Sequence, residues 1–111
     1  MTFDEYQKQA ITTALEADPT ALMSRTIYAM GIAGEAGEVI EKWKKIVAYR
    51  EGVVSDEDKA ELNKELGDVM WYIAVMANSL GLSFDDIANN NLKKLQDRKK
   101  RDVIKGAGDN R

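Results

Sequence analysis

Apolar residues recur at steps of three and four along most of this chain, and no stretch sustains a period-two alternation. Such spacing gathers apolar side chains on one side of an α-helix. Phe3, Tyr6, Ala10, Ala14 and Ala17 keep the step and predict a first helix over residues 3–17. Thr2 stands at its N-cap, with Glu5 placed to complete a capping box. Asp18-Pro19 breaks the pattern and predicts a new start, with Asp18 as N-cap and Pro19 as first helical residue. A long helix follows over about residues 20–50, with Ile32, Ala36, Val39, Ile40, Trp43 and Val47 on one broad apolar arc. Glu51-Gly52 ends it. Ser55, followed by Asp56-Glu57-Asp58, opens a third helix running to about Leu80. There Leu62, Leu66, Val69, Ile73, Met76 and Leu80 alternate steps of four and three, the seam of a helix packed lengthwise on another. Gly81 stops it, and Ser83 caps a last helix over about 84–100, with Phe84, Ile87, Ala88 and Leu95 on one face. The expected fold is all-α, a four- to five-helix bundle in one domain over residues 1–111. Its helical body reaches about residue 100, and a basic, glycine-containing tail covers about 101–111.

Composition narrows the chemistry. The 111 residues include no cysteine and no histidine. Disulfides, cysteine-type zinc sites, Ser-His-Asp triads and histidine general bases are therefore excluded. An enzyme built from this chain must rely on carboxylates, which favour hard cations such as Mg²⁺ or Mn²⁺. Residues 93–111 hold eight Lys or Arg against three Asp, whereas the acidic remainder brings the whole chain to −3. An acidic body repels a long polyanion, so no specific nucleic acid is expected; a small polyphosphate suits the asymmetry better. No apolar run approaches the roughly 18–20 residues of a membrane span, and the acidic N-terminus lacks signal-peptide order. A cytoplasmic protein is expected.

A bland bundle leaves three features unexplained. Gly31, Gly34, Gly37 and Gly67 all fall inside helices, each costing roughly 1 kcal/mol relative to alanine. Either helices approach closely there or backbone is cleared for a ligand. Glu35 and Glu38 stand three apart, as do Glu65 and Asp68, so each pair shares a helix face. Two such helices side by side would form a four-carboxylate cage that needs a cation. The alternative is a solvated face with Glu38–Lys42 and Glu41–Lys45 pairs. Finally, Asn91 falls within the apolar stripe of the last helix, with Arg98 on the same stripe and Lys94 beside it. Burying these groups without a partner is costly, so they should reach a shared acceptor: carboxylates of neighbouring helices, or a bound phosphate or sugar.

Gly34-Glu35-Ala36-Gly37-Glu38, then Lys64-Glu65-Leu66-Gly67-Asp68-Val69, then Asn91-Leu92-Lys93-Lys94-Leu95-Gln96-Asp97-Arg98 together resemble the MazG-like all-α nucleoside triphosphate pyrophosphohydrolases. The likeness covers roughly residues 25–100. It implies a homodimer or homotetramer that hydrolyses a nucleoside triphosphate to the monophosphate and pyrophosphate with Mg²⁺, in nucleotide-pool house-cleaning. By position Glu35, Glu38, Glu65 and Asp68 would bind the metal. One of these acids, Glu38 or its neighbour Glu35, would position or deprotonate water. Lys94 and Arg98 would hold phosphate oxygens, and Asn91 and Tyr72 would contact the sugar or a phosphate. Trp43 is expected in the core, and the tail either closes over phosphates or is disordered. Two other readings stand beside this one. A non-catalytic helical module would use the Leu62–Leu80 seam to bind a partner; a di-iron oxidase is disfavoured by the missing histidines.

Overall fold

The Thr2 hydroxyl accepts from Glu5 N and the Glu5 carboxylate accepts from Thr2 N, so the expected capping box starts α1, Phe3–Ala10. The computed structural model describes residues 1–111. α1 is shorter than the predicted 3–17. It tightens into a 3₁₀ turn over Ile11–Thr13, and Ala14 is extended. Thr12 and Thr13 donate their hydroxyls to the Gln9 and Ala10 carbonyls, offering the backbone an alternative to further helix. Trp71 Nε1 donates to Thr13 Oγ1 at 2.8 Å and fixes this exit. Asp18 does not cap a helix at Pro19. Its carboxylate accepts from Thr20 N and Thr20 Oγ1, closing a local turn. α2, Leu22–Arg50, begins instead after Ala21, with no side-chain cap.

The remaining helices keep their predicted limits. α2 runs unbroken for 29 residues and ends where Glu51 and Gly52 take positive φ, with Gly52 N donating to Ile46 O. Ser55 and Asp58 form a second capping box that opens α3, Asp56–Ser79. Gly81, at φ 70°, turns the chain, and Leu82 N donates to Ala77 O. Ser83 caps α4, Phe84–Lys100.

α2 and α3 form an antiparallel hairpin whose register is tied at several levels. The Arg25 guanidinium donates to the Ser79 carbonyl at one end. At the other end Arg50 clasps Asp58 with two bonds of 2.5 Å, and Arg50 foremost, with Ser55, holds that carboxyl well below the usual carboxylate range. Midway, the Tyr72 ring lies where a side chain on Gly31 would be: an added Cβ would sit 2.2 Å from the ring. α1 packs on α3, and α4 packs on α1 and α3 without touching α2. Buried Gln7 joins these three helices. Its amide donates to the Ala74 and Leu82 carbonyls, and its oxygen accepts from Phe84 N. The N-termini of α1 and α4 also cap one another. Asp4 accepts from Asp85 N and Ser83 Oγ, while Asp85 accepts from Phe3 N. Phe3 stacks on Phe84 with centroids 4.8 Å apart.

The helices are those predicted, but their faces are used differently. Where α2 meets α3, polar ties from Arg25, Glu35, Lys42 and Arg50 and the bare Gly31 stand beside the buried Tyr28 and Ile46 of α2. The predicted apolar arc is only half-buried at Ile32, Ala36 and Val39, and Ile40, Trp43 and Val47 are 67%, 47% and 49% exposed. Trp43 is therefore not a core residue of the single chain. The α3 seam is likewise incomplete, with Leu66 and Leu80 exposed. The core is small: Ala10, Tyr28, Ile46, Ala74, Val75, Ala77 and Phe84 are its buried apolar residues, and Tyr6, Met70, Trp71 and Ile73 pack against the cluster of Ala10, Ala74 and Phe84. The radius of gyration, 16.8 Å, exceeds the roughly 13 Å of a compact domain this size.

Substituting the glycines should separate their roles. Gly31→Ala is expected to lower stability in urea denaturation by about 1–3 kcal/mol, because Tyr72 must be displaced. Gly34→Ala, with nothing within 4 Å of the added methyl, should raise stability by about 1 kcal/mol.

Candidate functional site

On α3, Glu65 and Asp68 stand one helical turn apart and project from one face. The hairpin register brings Glu35 of α2 opposite them. One carboxylate oxygen from each of the three lies within 4.8 Å of the others. Glu35 and Glu65 are partly buried and Asp68 is exposed. Burial, then the charges of Asp68, Glu65 and Glu38, push the Glu35 carboxyl above its ordinary range. Three acids gathered so closely form a group of hard oxygen donors that could hold a divalent cation.

Glu38, the fourth expected ligand, lies outside this trio. It is exposed on α2, yet near enough for its charge to act on Glu35. The Glu38–Lys42 pair considered from spacing does not form. Lys42 crosses to α3 and lies 3.4 Å from Glu61 and 3.6 Å from Glu65, relieving the repulsion expected between those two acids. The Glu41–Lys45 pair does form, at 3.7 Å.

The intrahelical glycines divide into two kinds. Close approach accounts for Gly31, which seats Tyr72. Gly34, Gly37 and Gly67 face open space, so α2 and α3 present bare backbone beside Glu35, Glu38 and Asp68. Tyr72 follows Asp68 by one turn, and its ring stands perpendicular to Trp71 at 5.0 Å.

The α4 residues are arranged differently from expectation. Asn91 is exposed, not buried in an apolar stripe; Leu92 and Leu95 beside it are also exposed, since α4 gets no cover from α2. Arg98 is buried and Lys94 half-buried. They do share an acceptor, but it is neither a neighbouring helix nor the acid trio. Asp109 of the tail accepts from Lys94 Nζ at 2.8 Å and from Arg98 Nη2 at 3.1 Å, and Arg98 also donates to the Asp109 carbonyl. The Arg98 Nε stays buried without a partner. The tail is knit into turns: Arg111 donates to the Val103, Ile104 and Gly108 carbonyls, and Arg101 reaches the Arg111 carbonyl. Sequence reasoning missed Asp109 as the partner of Lys94 and Arg98. The only signal was an acid in a glycine-rich tail following a basic helix.

The chain matches the MazG nucleotide pyrophosphohydrolase domain over residues 24–103. That span contains Glu35, Glu38, Glu65, Asp68, Tyr72, Asn91, Lys94 and Arg98, and excludes α1. The chain is also 44% identical over 114 residues to the "Gene 37 protein" of Mycobacterium phage L5, with all of both chains covered. No solved structure matches it.

Tail docking should depend on pH in one direction. Lys94, then Arg98, lower the Asp109 pKa below its ordinary value. A carboxylate with a depressed folded pKa contributes stability that is present above its unfolded pKa of about 4 and lost as the pH falls through the lower folded value. Limited proteolysis should therefore find residues 103–111 protected at neutral pH and increasingly cleaved under acid conditions. Asp109→Asn should remove that protection at neutral pH.

Proposed function

We propose, since the chain belongs to the MazG nucleotide pyrophosphohydrolase family, that it hydrolyses nucleoside triphosphates to monophosphates and pyrophosphate with Mg²⁺, Mn²⁺ serving in its place. The observation that carries this reading is the meeting of Glu35, Glu65 and Asp68 within 4.8 Å inside the matched region. A divalent cation supplies charge neutralisation to the polyphosphate and a template for in-line attack. Glu35, Glu65 and Asp68 hold it. Glu38, outside the trio but one turn from Glu35, stays free to orient water or accept its proton, with Glu35 as the neighbouring acid. Gly34, Gly37 and Gly67 let phosphate oxygens approach the backbone beside these carboxylates. Lys94 and Arg98 neutralise phosphate charge once Asp109 yields, and Asn91 and Tyr72 contact the sugar or a phosphate. The role is removal of unwanted nucleotides from the cytoplasmic pool. No helix is long and apolar enough to cross a membrane.

The active form is a homo-oligomer, a dimer or tetramer. Exposed Ile40, Trp43, Val47 and Leu66 give each chain an apolar surface for another copy. The same surface favours the second reading, a non-catalytic oligomerisation or partner-binding module.

Pyrophosphate release distinguishes the two. The enzyme reading expects Mg²⁺-dependent pyrophosphate, not orthophosphate, from at least one common ribo- or deoxyribonucleoside triphosphate. Chelation should abolish it. Glu65→Gln and Asp68→Asn should each lower kcat/KM by at least about 100-fold, because cation stabilisation is worth several kcal/mol. Mg²⁺ at 100 times its Kd should stabilise the wild type by about 2.7 kcal/mol, and neither variant should gain as much. Stability indifferent to Mg²⁺, with no turnover across the panel, would favour the module.

A further inference from the structure

The acid trio accounts for the phosphate end of a nucleotide and leaves its other end without a place. The largest groove, open to solvent and about 740 Å³, lies between α1 and α3 and is lined by Tyr6, Gln9, Thr12, Thr13 and Trp71, among others. Small-molecule sites run to roughly 300–1,000 Å³. None of the trio lines it, but two of its lining residues are placed toward Asp68. Trp71 follows Asp68 by three residues on the same side of α3. Tyr6, on the cavity wall, is near enough to Asp68 for that charge, after burial, to push its phenol above the ordinary value. The wall is built. The bond from Trp71 Nε1 to Thr13 Oγ1 sets the indole plane, and the Tyr72 ring, itself seated on Gly31, stands perpendicular to it. A partly exposed indole offers a flat π surface. Exposed Gln9 brings a carboxamide that can donate and accept together. One flat face beside one donor–acceptor edge, next to hard-cation ligands, fits a nucleobase joined to a polyphosphate.

We propose that the cleft between α1 and α3 holds the nucleoside end of the substrate, with the base on Trp71 and its edge read by Gln9. The polyphosphate then runs past Asp68 to the acid trio. This rests on the nucleotide reading above and adds where selectivity is set. Most of the cleft wall belongs to α1, which lies outside the matched residues 24–103. Base preference is thus a property of the N-terminal helix, separable from the metal end.

Binding tests this without turnover. In a Trp43→Phe protein, Trp71 is the sole tryptophan. With Mg²⁺, α,β-methylene nucleoside triphosphates carrying different bases should change its fluorescence saturably, whereas inorganic tripolyphosphate should not. In the otherwise intact chain, Gln9→Ala should weaken the preferred analogue by about fivefold, in keeping with loss of a hydrogen bond. It should flatten preference among bases and leave tripolyphosphate affinity unchanged. Gln9 is exposed, so this variant keeps its fold. Analogue binding that leaves Trp71 silent, or that Gln9→Ala does not alter, overturns the proposal even if pyrophosphate is released. A Trp71 response without pyrophosphate release in the wild type sinks the hydrolase and leaves the nucleoside cleft standing. Failure of every analogue to bind overturns both.

Discussion

Glu35 meets Glu65 and Asp68 only because α2 and α3 are held in one register. A one-residue slip on a helix of 3.6 residues per turn would swing a side chain by about 100° and scatter the trio. The register has a steric centre and two polar ends. Tyr72 occupies the space of a missing side chain at Gly31. Arg25 ties Ser79 at one end and Arg50 clasps Asp58 at the other. These ties work against a cost, because the gathered acids repel one another and Glu35 is pushed toward its protonated form. A cation would turn that repulsion into attraction.

The mixed character of this seam bears on the rest of the molecule. Arg25, Glu35, Lys42 and Arg50 alternate along α2 with only two buried large apolar or aromatic side chains, Tyr28 and Ile46. Ile40, Trp43 and Val47 remain exposed, and only 11 of 111 residues are buried. So small a core needs directed bonds to hold α1 and α4. Gln7 supplies three of them, and the helix N-termini cap each other through Asp4 and Asp85. The α1–α3 cleft is a consequence: α1 stops at Ala10, and Thr13 leaves the helical path to meet Trp71.

The charge asymmetry is partly settled inside the chain. The basic end of α4 would leave Lys94 and Arg98 unmatched, and the acids of α2 and α3 do not reach them. The tail turns back and presents Asp109 to both side chains. Arg111 closes the turn by binding the carbonyls that precede it. Lys94 and Arg98 of α4 are thus paired from within the chain, at an exposed carboxylate.

Helix content, most helix limits and the identity of the acids were legible in the sequence because they rest on local chemistry. Ser55, Ser83, Gly52 and Gly81 act within a turn of their own position, and Glu65 and Asp68 share a face on any helix. Two local readings failed where a side chain had another option. Asp18 bonded Thr20 instead of capping, and Thr12 and Thr13 drew carbonyls out of the helix. The pairing of faces was decided only in three dimensions. Apolar periodicity marks which residues shun water, not which neighbour covers them, so the arc through Ile40, Trp43 and Val47 is real in spacing yet stays exposed in this chain. Glu38 and Glu35 look equivalent in the motif, yet the register places Glu35 in the trio and leaves Glu38 outside. Lys94 and Arg98 predicted an acceptor, and only the folded tail showed it to be Asp109. Spacing along one helix sets which groups can act together; the packing of two helices sets which of them do.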